Sequence, residues 1–96
     1  MGYVMPELGR IFNIIFYMYY AENECKHHEP HVHVVYNEYE GVFNFDGKLI
    51  KGSLPERQKN IAECIIDNCQ EELENAWDLC CKKQKPKKLS FRGIKK

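Results

Sequence analysis

The last fifteen residues of the chain, 82–96, contain no acidic side chain, and no histidine occurs outside residues 27–33. The first absence leaves eight of the fourteen basic side chains gathered at the C-terminus. Residues 1–81 hold all fourteen acidic groups and the other six basic ones, so a formally neutral chain divides into an acidic body and a basic tail. Such a tail contacts a polyanion, lies on its own body, or is simply solvated; solvation is the plainest reading. A long apolar run is also missing. Residues 11–21 are too short to span a bilayer. They follow Arg10 in superficial likeness to a secretory leader, but contain Asn13, are rich in aromatic and β-branched residues, and lack a clean basic start and a small-residue cleavage site. A cytoplasmic protein without membrane contact is expected. No Gly-rich phosphate loop, paired-cysteine zinc motif or Ser/His/Asp arrangement stands out, which counts against most familiar enzyme types. Five cysteines are an odd number, and Cys64, Cys69, Cys80 and Cys81 fall in one helical segment, so reduced thiols are expected.

What is present is enough for one small core: 44% of the residues are hydrophobic and 12% aromatic. Residues 11–20, IFNIIFYMYY, have strand propensity and are apolar on both faces apart from Asn13, as a covered central strand requires. A strand over residues 31–37 and another over 39–45 leave room for a tight hairpin only. Asp46-Gly47 is the strongest hairpin signal, leading into a short strand around Leu49-Ile50. Ser53, Pro55 and Glu56 read as the cap, first turn and capping-box partner of a helix. Ile61, Ile65, Cys69, Leu73 and Trp77 then recur every fourth residue as its apolar face, while Asp67 and Asn68 could start a second helix and so allow a break near residue 68. The expected fold is α+β: a small antiparallel sheet of three to four strands against one long or two consecutive C-terminal helices. Residues 1–81 form the domain and 82–96 a basic tail, in which Leu89, Phe91 and Ile94 either add an edge strand or stay loose.

The concentration of four histidines in HHEPHVH is the main chemical feature. Glu29-Pro30 marks an extended turn. Alternation along the following strand places His31 and His33 on one face and Val32, Val34 and Tyr36 on the other. His27 and His28 sit on the incoming loop. With Cys69 from the helix, His27, His31 and His33 are candidate ligands for a divalent metal such as zinc. The plainer alternative packs His31 and His33 between the sheet and the helix as a polar cluster, their ring nitrogens bonded to Glu38, Glu40 or backbone carbonyls. Arg57, just inside the helix start, is the fourth member of the candidate cluster, suited to a phosphate or carboxylate, or to a surface ion pair with Glu56 or Glu63.

The pieces MPELGR, IFNIIFYMYY, His27 with Pro30 and HVHV, GSLPER, and EEL with Trp77 four residues beyond its leucine stand in an order that carries a resemblance. From about Met5 to Trp77 the chain resembles the small bacterial proteins grouped as domain-of-unknown-function family four-one-six-zero. The family pattern places an aspartate where Lys26 stands, a phenylalanine at Val32, a tryptophan at Ile65 and a histidine at Cys69. Loss of the aspartate weakens a fixed acid–base relay; cysteine for histidine keeps a metal donor. The resemblance implies a toxin–antitoxin-like, mobile-element or phage-related setting.

Three functional classes follow. The favoured one is a protein-interaction module with a protein partner, with self-association a further expectation. The second is a nucleic-acid binder or ribonuclease-like toxin using the histidines together with Lys82, Lys83, Lys85, Lys87, Lys88 and Arg92. The third is a metal-dependent hydrolase or sensor. The acidic body counts against the second class, because nucleic-acid surfaces cluster positive charge beyond a flexible tail.

Overall fold

A computed structural model describes residues 6–20 and 29–91. Five strands, β1 (Glu7–Ile11), β2 (Ile14–Tyr17), β3 (His31–Tyr36), β4 (Tyr39–Asn44) and β5 (Leu49–Gly52), form one antiparallel meander in chain order. Two helices follow, α1 (Glu56–Asn68) and α2 (Gln70–Cys81). The α+β class and the paired C-terminal helices agree with the sequence reading. The strand count is five rather than three to four, because residues 11–20 are not one central strand. Phe12 and Asn13 take φ of 55° and 64°, and Ile11 pairs with Ile14. Two consecutive left-handed residues make the tight turn whose twist suits a hairpin. Asparagine tolerates that conformation, so the single polar residue of the run was the turn signal.

Beyond this hairpin, the connections follow their local chemistry. Asn37, at φ 54°, begins the two-residue turn that lets Tyr36 pair with Tyr39. At the Asp46-Gly47 turn, Asn44 Oδ1 accepts the N–H groups of Asp46 and Lys48 at 3.0 and 2.9 Å, while Gly47 takes φ 85°. Asn44 is the one buried polar side chain among the described residues, and those two bonds offset its burial.

Ser53 does not cap α1. Its N–H donates to the Glu40 carbonyl at 3.1 Å, which keeps it with the sheet, and Pro55 occupies the cap position without a side-chain bond. The break falls at Cys69, whose φ of −118° interrupts the helix between Asn68 and Gln70.

The core lies between the helices and one sheet face. Leu8, Ile14, Phe16, Val32, Val34 and Phe43 meet Ala62, Ile65, Ile66, Cys69, Leu73, Ala76 and Cys80. Burial of this set is the main stabilising term, at about 25 cal/mol per Å² of apolar surface. No helix among the described residues is long and apolar enough to cross a membrane. Cys64, Cys69 and Cys80 are free thiols, but Cys81 is disulfide-bonded, which corrects the expectation of wholly reduced cysteines.

The basic segment folds back as far as it is described. Gln84 N–H donates to the Leu79 carbonyl at 2.8 Å and Lys83 N–H to Cys80 at 3.0 Å, closing α2 with Lys83 at φ 58°. Pro86 and Leu89 are buried, and Leu89 N–H donates to the Leu8 carbonyl at 2.8 Å. Ser90 gives both its N–H and its hydroxyl to the Glu72 carboxylate at 3.0 Å.

Candidate functional site

The strand alternation that buries Val32 and Val34 against the helices turns His31 and His33 to the opposite face, where both are partly exposed. Their ring centroids stand 5.4 Å apart. His31 Nδ1 lies 3.0 Å from the Glu29 carbonyl oxygen. A carbonyl can only accept, so this ring nitrogen carries the proton. His33 Nδ1 lies 3.0 Å from Glu40 Oε2, reached from the neighbouring strand β4. A backbone carbonyl and Glu40 are among the partners the polar-cluster reading named, but that reading put the rings between sheet and helix, and they stand on the outward face because Val32 and Val34 take the inward positions.

Aromatic rings extend the pair in both directions. Tyr19, just beyond β2, meets His33 edge-on at 4.5 Å, and Trp77 of α2 meets His31 at 5.1 Å. Phe45 closes on Trp77 at 6.2 Å. The resulting chain, Tyr19–His33–His31–Trp77–Phe45, runs from the outward sheet face around the end of the sheet to the helical layer. The edge-to-face pair Phe45–Trp77 adds about 0.5–1.5 kcal/mol beyond burial. Gln70 reinforces the corner by donating its side-chain amide to the Phe45 carbonyl.

The remaining candidates do not join this cluster. Arg57 is exposed in the first turn of α1. His31 instead meets α2 at Trp77, while the Cys69 break lies ~18 Å along the helix axis from Arg57 at 1.5 Å per residue. Cys69 is 2% exposed and turned into the core, against Glu72 and the Phe91 backbone. Burial first, and then the Glu72 charge, push its thiol up to about 11. His27, His28 and Arg92 lie outside the described residues.

Among the described residues no three histidine, cysteine, aspartate or glutamate side chains are grouped to hold a metal ion. Tyr19 and Trp77 were not foreseen as partners of the histidines. Trp77 was visible as the end of an apolar stripe and as a position of the family pattern, neither of which pairs it with a histidine, and Tyr19 was hidden inside a run read as a single strand.

The outward face beside His33 has an unusual composition. Ile15 pairs with Val35, and Tyr17 with His33. All four are partly exposed. Next to them Arg10, Ile11, Phe12, Asn13 and Asn37 surround a shallow hollow of about 600 Å³ floored by Ile15 and Val35.

A family model described as Domain of unknown function (DUF4160) matches residues 13–78. The chain belongs to the DUF4160 family. The DUF4160 span contains His31, His33, Glu40 and Trp77, and hence the whole of the described ring chain. It begins in the β1–β2 turn and stops before the basic segment. No curated protein and no solved structure matches the chain.

Proposed function

We propose that the protein is a small interaction module of a toxin–antitoxin-like, mobile-element or phage-related system, which binds a partner protein through the outward face of β2 and β3. One observation carries this reading. An antiparallel sheet covered on one side ordinarily alternates apolar inward with polar outward residues. Here the outward positions at which β2 and β3 pair are Ile15, Tyr17, His33 and Val35, with His31 next in line on β3. Apolar and aromatic side chains left partly exposed in one contiguous patch are characteristic of a surface that another protein covers. The imidazole–carboxylate pair at its margin supplies orienting polar contacts, and the ring chain behind it braces the patch against α2. The setting rests on the family resemblance.

The test is reconstitution with the product of an adjacent short reading frame, using wild-type protein, Ile15→Lys and Val35→Glu. The expected result is a stoichiometric complex with wild type, weakened at least ~10-fold by either substitution at unchanged circular dichroism. That would correspond to about 1.4 kcal/mol or more of binding free energy. A complex indifferent to both substitutions would rule out this face. Failure of any protein to bind would count against the interaction reading itself.

A further inference from the structure

The C-terminal basic segment is a second surface, separate from the sheet face. It leaves α2 at a fixed point, the Gln84-to-Leu79 hydrogen bond, and is tied down again where Leu89 bonds Leu8 and Ser90 bonds Glu72. Between these ties the buried side chain is Pro86, while Lys85, Lys87 and Lys88 are exposed. A five-residue span between two fixed points reaches at most ~17 Å. The lysines are therefore displayed as a short ridge and not on a free tail.

The charge around the ridge is already spoken for. Glu7, on which the Lys88 charge acts, is bonded by Arg10 at 2.9 Å. Glu72, which lines the cleft beside Lys87 and Lys88, receives both donors of Ser90. Asp78, in the same cleft, lies 3.2 Å from Lys82. Among the described residues none of Lys85, Lys87 and Lys88 is in an ion pair.

From this arrangement we infer that Lys85, Lys87 and Lys88 form a sequence-independent nucleic-acid site that grips the phosphate backbone. Three exposed ammonium groups outside any described ion pair, held within one short span, match a ligand with regularly repeated negative charge, and pre-ordering lowers the entropy lost on binding. An anionic lipid surface fits less well. Basic segments that bind membranes gain by inserting apolar side chains, whereas Leu89 is buried in this protein and Phe91 packs on its core. The ridge has no groove-reading helix or exposed aromatic stack, so base preference is not expected. Its action does not depend on the sheet face.

The experiment is fluorescence anisotropy of a labelled single-stranded oligonucleotide titrated with full-length protein at several salt concentrations. The variants are Lys85→Gln/Lys87→Gln/Lys88→Gln, Ile15→Lys and Phe91→Ala. Exposed lysines allow the triple variant to fold, and circular dichroism checks it. Wild type is expected to bind at low salt. The triple variant should lose ~10-fold or more in affinity, and its log–log salt slope should fall in magnitude by roughly 2, at about 0.7 per phosphate contact. Phe91→Ala, which loosens the ridge but keeps every lysine, should lose a few fold, and Ile15→Lys should lose none. The inference is overturned if wild type does not bind, if the triple variant binds equally well, or if vesicles of phosphatidylserine and phosphatidylcholine compete the oligonucleotide away at matched charge. A loss with Ile15→Lys as large as with the triple variant would overturn it too, by placing the polyanion on the sheet face.

Discussion

The ring of Phe91 occupies the place where a side chain on Gly9 would begin: a Cβ built at Gly9 would stand 2.7 Å from the ring. The same ring lies 6.1 Å from that of Phe16 in the core. The glycine of the first strand is thus the seat of the C-terminal segment. Gly9→Ala should displace Phe91 and cost about 1–3 kcal/mol, the usual range for overpacking. Trypsin should then cut after Lys87 or Lys88 faster than in wild type while the β3–β4 hairpin stays intact. Unchanged stability together with unchanged cleavage would mean that Phe91 does not rest there.

His33 and Glu40 invite a double-mutant cycle. The imidazole is 12% exposed in its side chain, but the carboxylate is 52% exposed, so solvent screens much of their attraction. The coupling between His33→Ala and Glu40→Ala should be no more than ~1 kcal/mol in thermal unfolding. His33→Ala alone should cost more than Glu40→Ala, because it also removes the contact with Tyr19. Equal single costs and a coupling well above ~2 kcal/mol would indicate a buried, stability-determining pair instead.

Much of this architecture was legible in the residues. Period-two alternation identified β3 and its two faces, Asp46-Gly47 gave the β4–β5 hairpin, and the fourfold apolar spacing gave the helical segment, with Asp67-Asn68 as the signal for two helices instead of one. The misses have physical causes. The first hairpin was concealed because Ile11, Phe12, Ile14 and Ile15 are apolar on both sides of the turn, and hydropathy does not register φ. Ser53 read as a cap because cap preference is local, whereas its N–H is claimed by Glu40 across the sheet. The histidine pair was foreseen and its setting was not. Trp77 and Tyr19 reach it through packing between distant elements, which no local pattern encodes. The basic segment looked detachable because its charge dominates its composition, while Pro86, Leu89 and Phe91 do the anchoring.

The Phe12-Asn13 turn gives a direct check on that first correction. Asn13 sits at φ 64°, where glycine carries no steric penalty. Asn13→Gly should leave stability unchanged or raise it by up to ~1 kcal/mol. Asn13→Val should lower it by about 1–2 kcal/mol, since a β-branched residue resists positive φ. If residues 11–20 formed one continuous strand, the order would reverse, with valine favoured and glycine costly. Chemical denaturation of the two variants decides between these backbones.

The buried thiols make a prediction about alkaline stability. Burial pushes Cys80 from its ordinary 9.0 up to about 11, and burial aided by the Glu72 charge does the same for Cys69. In both cases the folded chain holds the proton more tightly than the unfolded one. Their contribution is therefore complete below pH 9 and is lost as the pH rises towards 11. A tenfold difference in proton affinity between folded and unfolded chain is worth ~1.4 kcal/mol, so each thiol should account for roughly 2 kcal/mol of decline between about pH 8.5 and 10.5. Cys80→Ala should be less stable than wild type near neutral pH, because it leaves a small cavity. It should nevertheless fall less steeply as the pH is raised, so that the two curves converge. Denaturation midpoints measured across that window test this, and curves that stayed parallel would mean that Cys80 is not held away from solvent in the folded chain.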